Sequence, residues 1–179
     1  MLIPIWQTGA MKSIMVKLAG YDLESFADAE GVSCVLFFSG CGHHCIGCHS
    51  PQTHDFNYGI EVTDELIKQI NAEIDKRPYL NALVLSGGDV MYSAKDVLQI
   101  LPKLHIPHNN IWCYSGFTLK EIQANPEMNK LLEQCTHLID GLFEIDKRNI
   151  SLHYRGSSNQ NVWKKENGKW VIQYEGTEE

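Results

Sequence analysis

The amino-acid sequence predicts an α/β fold: a partial, open β/α barrel with a mainly parallel sheet, finished by a C-terminal β-hairpin. Three observations carry this. Four short apolar runs alternate with segments of helical periodicity, and parallel neighbours need such crossovers. The chain has 179 residues, too few for a complete eight-fold barrel of about 250. Asn167-Gly168, between two stretches of strand-forming residues, is the strongest two-residue hairpin signal. The chain divides on this reading into residues 1–31, an N-terminal leader and edge segment in which Met11 is a second candidate start, residues 32–160, the core domain, and residues 161–179, the hairpin and tail.

The first predicted strand is the apolar run 33–39, which ends at Gly40 and reads as buried on both faces. Thr63 then caps a helix with Asp64 and Glu65 in its first turn and Leu66, Ile67, Ile70 and Ile74 at helical spacing. The second strand, 82–85, runs into Ser86-Gly87-Gly88-Asp89, followed by a helix with Val97, Leu98, Leu101 and Leu104 on its inner face. The third strand, 111–114, ends at Ser115-Gly116. Thr118 and Glu121 form a capping box for the next helix, and Asn125-Pro126 restarts it as an N-cap and first-turn pair. The fourth strand is 137–140. In the terminal hairpin the turn sets Glu166 opposite Lys169 and Trp163 opposite Ile172.

Composition narrows the function classes. The chain is 44% hydrophobic and 21% charged, an ordinary globular balance. A formal net charge of -7, with no basic cluster larger than Lys164-Lys165, argues against nucleic-acid binding, which needs clustered Lys and Arg. No apolar run approaches the length that spans a bilayer, and the N-terminus lacks a signal-peptide pattern. No membrane role and a cytoplasmic location are therefore expected.

Of six cysteines, Cys34, Cys113 and Cys135 are scattered through apolar surroundings and are assigned to the core. Cys41, Cys45 and Cys48 fall within eight residues, spaced Cys-x3-Cys-x2-Cys on the loop after the first predicted strand. Soft thiolates select zinc or an iron–sulfur cluster, and Gly42 and Gly47 let the backbone wrap closely around what is bound. Three ligands would leave one iron of a four-iron cluster open to a substrate's amino and carboxylate groups. The alternative is a non-catalytic zinc module whose fourth ligand is His43, His44, His49 or His54.

The second candidate site is Gly87-Gly88-Asp89, at the carboxyl end of a strand, where open α/β sheets bind ligands. Its glycines allow close backbone approach, and Asp89 offers a carboxylate to an ammonium group.

The cysteine loop followed by the Gly-Gly-acidic turn resembles the radical S-adenosylmethionine superfamily. The likeness extends through Leu36 to Cys41, Leu85 to Asp89, Ile111 to Phe117 and Ile139 to Gly141, and ends at Arg155-Gly156-Ser157-Ser158-Asn159-Gln160. Within the superfamily the chain is most similar to the activases of glycyl-radical enzymes that serve anaerobic ribonucleoside-triphosphate reductase. It departs from their usual pattern at His49-Ser50 and at Val90. The resemblance implies that Cys41, Cys45 and Cys48 bind a [4Fe-4S] cluster. Gly47, Cys48 and His49 would line one side of S-adenosylmethionine, and Gly87, Gly88 and Asp89 would hold its methionine end. Ser115, Asp140, Arg155 and Asn159 are further candidates for contacts with cofactor or partner. The activity implied is reductive cleavage of S-adenosylmethionine with an electron from a reduced flavodoxin-like donor, and transfer of the radical to one glycine of the reductase. An activase of another glycyl-radical enzyme, such as pyruvate formate-lyase, is the nearest enzymatic alternative.

Overall fold

A computed structural model describes residues 16–106 and 109–176; the candidate start at Met11 lies outside them. Eight strands form one sheet: β1 (Lys17–Ser25), β2 (Ser33–Phe38), β3 (Ile60–Glu61), β4 (Ala82–Gly87), β5 (Ile111–Tyr114), β6 (His137–Asp140), β7 (Asn161–Glu166) and β8 (Lys169–Tyr174). The helices are α1 (Asp64–Ile74), α2 (Ala94–Ile100), α3 (Leu119–Ala124) and α4 (Pro126–Leu132). Strand order across the sheet is β3-β1-β2-β4-β5-β6-β7-β8.

The four strands expected from apolar runs, β2, β4, β5 and β6, are the parallel block at the centre. All other pairings are antiparallel, so the sheet is mixed and the expectation of a mainly parallel sheet holds only for its middle. The outer strands join through turns and loops, which antiparallel neighbours allow without a helical crossover. β1 escaped sequence detection because few of its residues are buried and its pairing with β2 is interrupted by two register irregularities. β7 pairs directly with β6. The sheet therefore continues through all three segments into which the sequence divides.

Alternation along the strands separates two apolar surfaces. Cys34, Leu36, Phe38, Leu83, Leu85, Cys113 and Leu138 pack against the helices, whereas Val35, Val84, Trp112 and Ile139 face the other way and meet Ala29 and Tyr154. The predicted caps form: Thr63 Oγ1 accepts from the Leu66 N–H at 3.2 Å, the Thr118–Glu121 capping box is complete, and Asn125 caps α4 with Pro126 in its first turn. Helix α2 stops at Ile100, earlier than its apolar pattern suggests. Pro102 has no N–H to continue the ladder, so residues 101–103 tighten into a 3-10 turn that still buries Leu101 and Leu104. The hairpin register matches expectation, with Glu166 opposite Lys169 and Trp163 opposite Ile172.

His137 sits inside this frame, stacked on Trp112 at 3.9 Å between ring centroids. Its Nδ1 is 3.0 Å from Thr136 Oγ1, and its buried Nε2 has no partner. Burial first, and the Lys164 charge second, lower its pKa from 6.5 to about 4. The unfolded chain therefore binds the extra proton first, and stability falls as pH drops from about 6.5 toward 4. Replacing His137 with Phe, which keeps the stacking surface, is expected to remove on the order of 2 kcal/mol of this acid sensitivity at pH 4.5. Urea midpoints compared at pH 7 and 4.5 measure it.

Candidate functional site

The site forms where the parallel strands end. β2 leads into the loop of residues 39–50, and its neighbour β4 leads into Gly87-Gly88-Asp89. Phe38 and Gly87 pair across the two strands, and the backbones stay joined beyond them. The Gly88 N–H donates to the Phe38 carbonyl at 2.7 Å, and the Asp89 N–H donates to the Gly40 carbonyl at 3.0 Å. The Gly40 N–H donates to the Thr53 carbonyl at 2.8 Å, closing the neck of the cysteine loop. Gly87 has φ +109°, and a Cβ there would lie 2.3 Å from the Phe38 carbonyl oxygen. At Gly88 a Cβ would lie 2.7 Å from the Gly40 oxygen. No side chain fits at either position without separating the two loops.

Below this junction Asp89 is 2% exposed. Its carboxylate accepts from the Met91 N–H at 3.0 Å, the Ser115 hydroxyl at 2.9 Å and the Gly116 N–H at 2.9 Å. His43 Nε2 also lies 2.8 Å away, donating to Oδ2. Asp89 thus joins the cysteine loop, the turn after β4 and the turn after β5. The sequence expectation that it presents a free carboxylate to an ammonium group is corrected here: the side chain points beneath the site and its acceptor capacity is spent on the protein. His43 is wedged edge-on against Phe117 and Tyr92, so it supports the loop instead of standing in solvent.

A cavity of about 410 Å³ opens above. Cys41, Cys45, Cys48, Gly47, His49, Gly87 and Gly88 all line it. Two loops far apart in sequence therefore face one space. Cys41 is the most enclosed of the three cysteines. Its thiol is pushed up to about 11, chiefly by burial. A main-chain hydrogen bond at His43 opposes this, and the charges of Asp89, Cys45 and Cys48 add to it. Three thiolates crowded on one loop repel one another without a cation, so the donor set suits a soft metal centre that takes the protons' place. Among the described residues no three His, Cys, Asp or Glu side chains gather closely enough to hold a single metal ion. The zinc alternative therefore has no ready-made mononuclear site. Cys34, Cys113 and Cys135 are buried in the core as expected. Burial pushes Cys34 up to about 12, and a hydrogen bond with Cys135, with burial, raises Cys113 well above the usual thiol range.

The other candidates divide. Ser115 and Arg155 line the cavity. Arg155 lies over the Tyr174 ring at 5.7 Å, and its Nε and Nη1 are shielded from solvent without a partner. Asp140 does not reach the cavity: its carboxylate accepts from the Leu119 N–H at 2.6 Å and from Asn161 Nδ2 at 2.9 Å, tying β6 to α3 and β7. Asn159 donates to the Leu142 carbonyl. Sequence reasoning missed the wall formed by Phe143, Arg148, Asn149, Ile150 and Gln160, because residues 141–160 are mostly irregular and carry no periodicity.

Comparison with known proteins agrees with this geometry. Residues 27–163 match the model of the 4Fe-4S single cluster domain, so the class is that of proteins carrying one such cluster. The chain is 34% identical to the anaerobic ribonucleoside-triphosphate reductase-activating protein of Pasteurella multocida, over 76% of this chain and 90% of that protein. It is 35% identical to the protein of that name from Salmonella typhimurium over 75% of this chain and 90% of the relative. For Vibrio cholerae the identity is 37%, over 74% and 88%. The chain belongs to the family of anaerobic ribonucleoside-triphosphate reductase-activating proteins.

The Asp89 junction yields a prediction. Asp89→Asn places an amide donor among groups that already donate, and is expected to destabilise the fold by about 2–4 kcal/mol. Ser115→Ala, which removes one of four donors, should cost about 1 kcal/mol. Chemical denaturation of both variants measures the difference.

Proposed function

We propose that this chain activates an anaerobic ribonucleoside-triphosphate reductase by using a [4Fe-4S] cluster and S-adenosylmethionine to create a glycyl radical on that partner. One observation carries the reading: the cysteine loop and the Gly-Gly turn line one cavity and are fixed together by the bonds from the Gly88 and Asp89 amides. A zinc module has no need of that second loop. The cluster, when bound, supplies one-electron cleavage of the S-adenosylmethionine carbon–sulfur bond, fed by a reduced flavodoxin-like donor.

The protein's own residues bind and orient. Cys41, Cys45 and Cys48 hold the cluster, whose ligands sit on separate irons and so need not converge on one point. The backbone at Gly47 and at Gly87-Gly88 lies close to the cavity because neither glycine turn carries a side chain, and His49 flanks it. Asp89 positions these loops from below. Arg155 offers shielded, unpartnered N–H groups, suited to the carboxylate of S-adenosylmethionine. The mixed sheet is read as an incomplete β/α barrel with this cavity at the carboxyl end of its parallel strands. Among the described residues no helix is long and apolar enough to cross a membrane, in keeping with a cytoplasmic activase.

Anaerobic reconstitution with iron and sulfide is expected to give about four irons per chain. Cys45→Ala should lose the iron and S-adenosylmethionine cleavage together; stoichiometric zinc without iron uptake would overturn the reading. Arg155→Met should keep the iron and raise the KM for S-adenosylmethionine about tenfold, a loss of about 1.4 kcal/mol in binding. Steady-state cleavage assays at several S-adenosylmethionine concentrations measure it.

A further inference from the structure

The cavity mouth differs from the rest of the surface in both polarity and charge. Ile46 is 80% exposed and Ile150 84%, with Leu142 and Ile145 also exposed. Ile46 belongs to the cysteine loop and the other three to residues 141–160. The two groups meet, because a Cβ on Gly47 would lie 2.8 Å from Ile145 Cδ1. Exposed aliphatic side chains concentrated around one opening mark an interaction surface. The chain has 22 acidic and 15 basic residues, yet no Asp or Glu lines the cavity, whereas Arg148 and Arg155 do. Among the described residues neither arginine takes part in an ion pair. Arg148 is exposed, at the outer side of the wall.

We infer that Leu142, Ile145, Ile150 and Ile46, with Arg148, form the docking surface for the reductase, and that they grip an extended segment with apolar side chains and a carboxylate that pairs with Arg148. The inference rests on the function proposed above. The occupant's shape follows from space. A cavity of about 410 Å³ that also holds S-adenosylmethionine has no room for a helix about 10 Å across, whereas an extended chain needs about 5 Å. The occupant's charge follows from the lining. A cationic mouth on an acidic chain repels a second copy of this chain more than it does a segment bearing a carboxylate, and it steers the latter to the opening.

The test measures binding of the purified reductase subunit to the iron-loaded protein under anaerobic conditions, by titration calorimetry at two salt concentrations. Ile145→Asp and Arg148→Glu are each expected to weaken binding at least tenfold, and Arg148→Glu should also flatten its salt dependence. Leu142→Asp lies outside the cavity lining. It is expected to weaken binding while leaving iron content and partner-free S-adenosylmethionine cleavage at the wild-type level, which separates a docking defect from a misfolded loop. Affinities within twofold of wild type for all three variants overturn the inference. So does sedimentation evidence that these substitutions dissolve a dimer of this chain and spare reductase binding. A chain that binds the reductase through this rim but takes up no iron would refute the cofactor reading and leave the docking surface standing.

Discussion

The buried carboxylate of Asp89 is the constraint on which the site depends. Donors from the cysteine loop (His43), from its own turn (Met91) and from the turn after β5 (Ser115 and Gly116) converge on two oxygen atoms. Each of these loops alone is a short irregular segment with little apolar surface to hold it. A buried charge must be satisfied or it is costly, so the same carboxylate that needs these donors also fixes their positions. The Gly88 and Asp89 amides complete the arrangement from the other side by bonding the Phe38 and Gly40 carbonyls. The cavity floor is thereby rigid before any ligand arrives, and preorganisation of this kind is what cluster and cofactor binding require.

The parallel block explains why the loops are there at all. β2 and β4 run in register from Ser33 opposite Ala82 to Phe38 opposite Gly87, so both chains reach the sheet's edge at the same level. Their side chains are buried on both faces, against the helices on one side and against Trp112, Ala29 and Tyr154 on the other. A one-residue slip would exchange these surfaces. Register in the core therefore sets the relation between the cysteine loop and the glycine turn.

The parts of the fold legible in the sequence are those with strong local chemistry. Thr63, Thr118 with Glu121, and Asn125-Pro126 marked helix starts because capping is a contact between near neighbours. Asn167-Gly168 fixed its hairpin for the same reason. β1 was hidden because its exposed, interrupted pattern has meaning only beside β2. The cavity wall from residues 141–160 was hidden because irregular backbone has no period, and its arginines look like ordinary surface charge until their lack of acidic neighbours is seen in space.

The sequence by itself determined the cysteine spacing, the two glycines and the apolar strands, hence the metal chemistry and the family, since these depend on residue type and short separations. Only the tertiary structure decided that Asp89 serves the loops and not the ligand. It alone placed Asp140 between β6, α3 and β7, and put Arg148 and Arg155 on a cavity without carboxylates. Those assignments depend on which donors and charges meet across long stretches of chain, a relation that hydrogen-bond satisfaction and burial fix in space and that spacing along the chain does not encode.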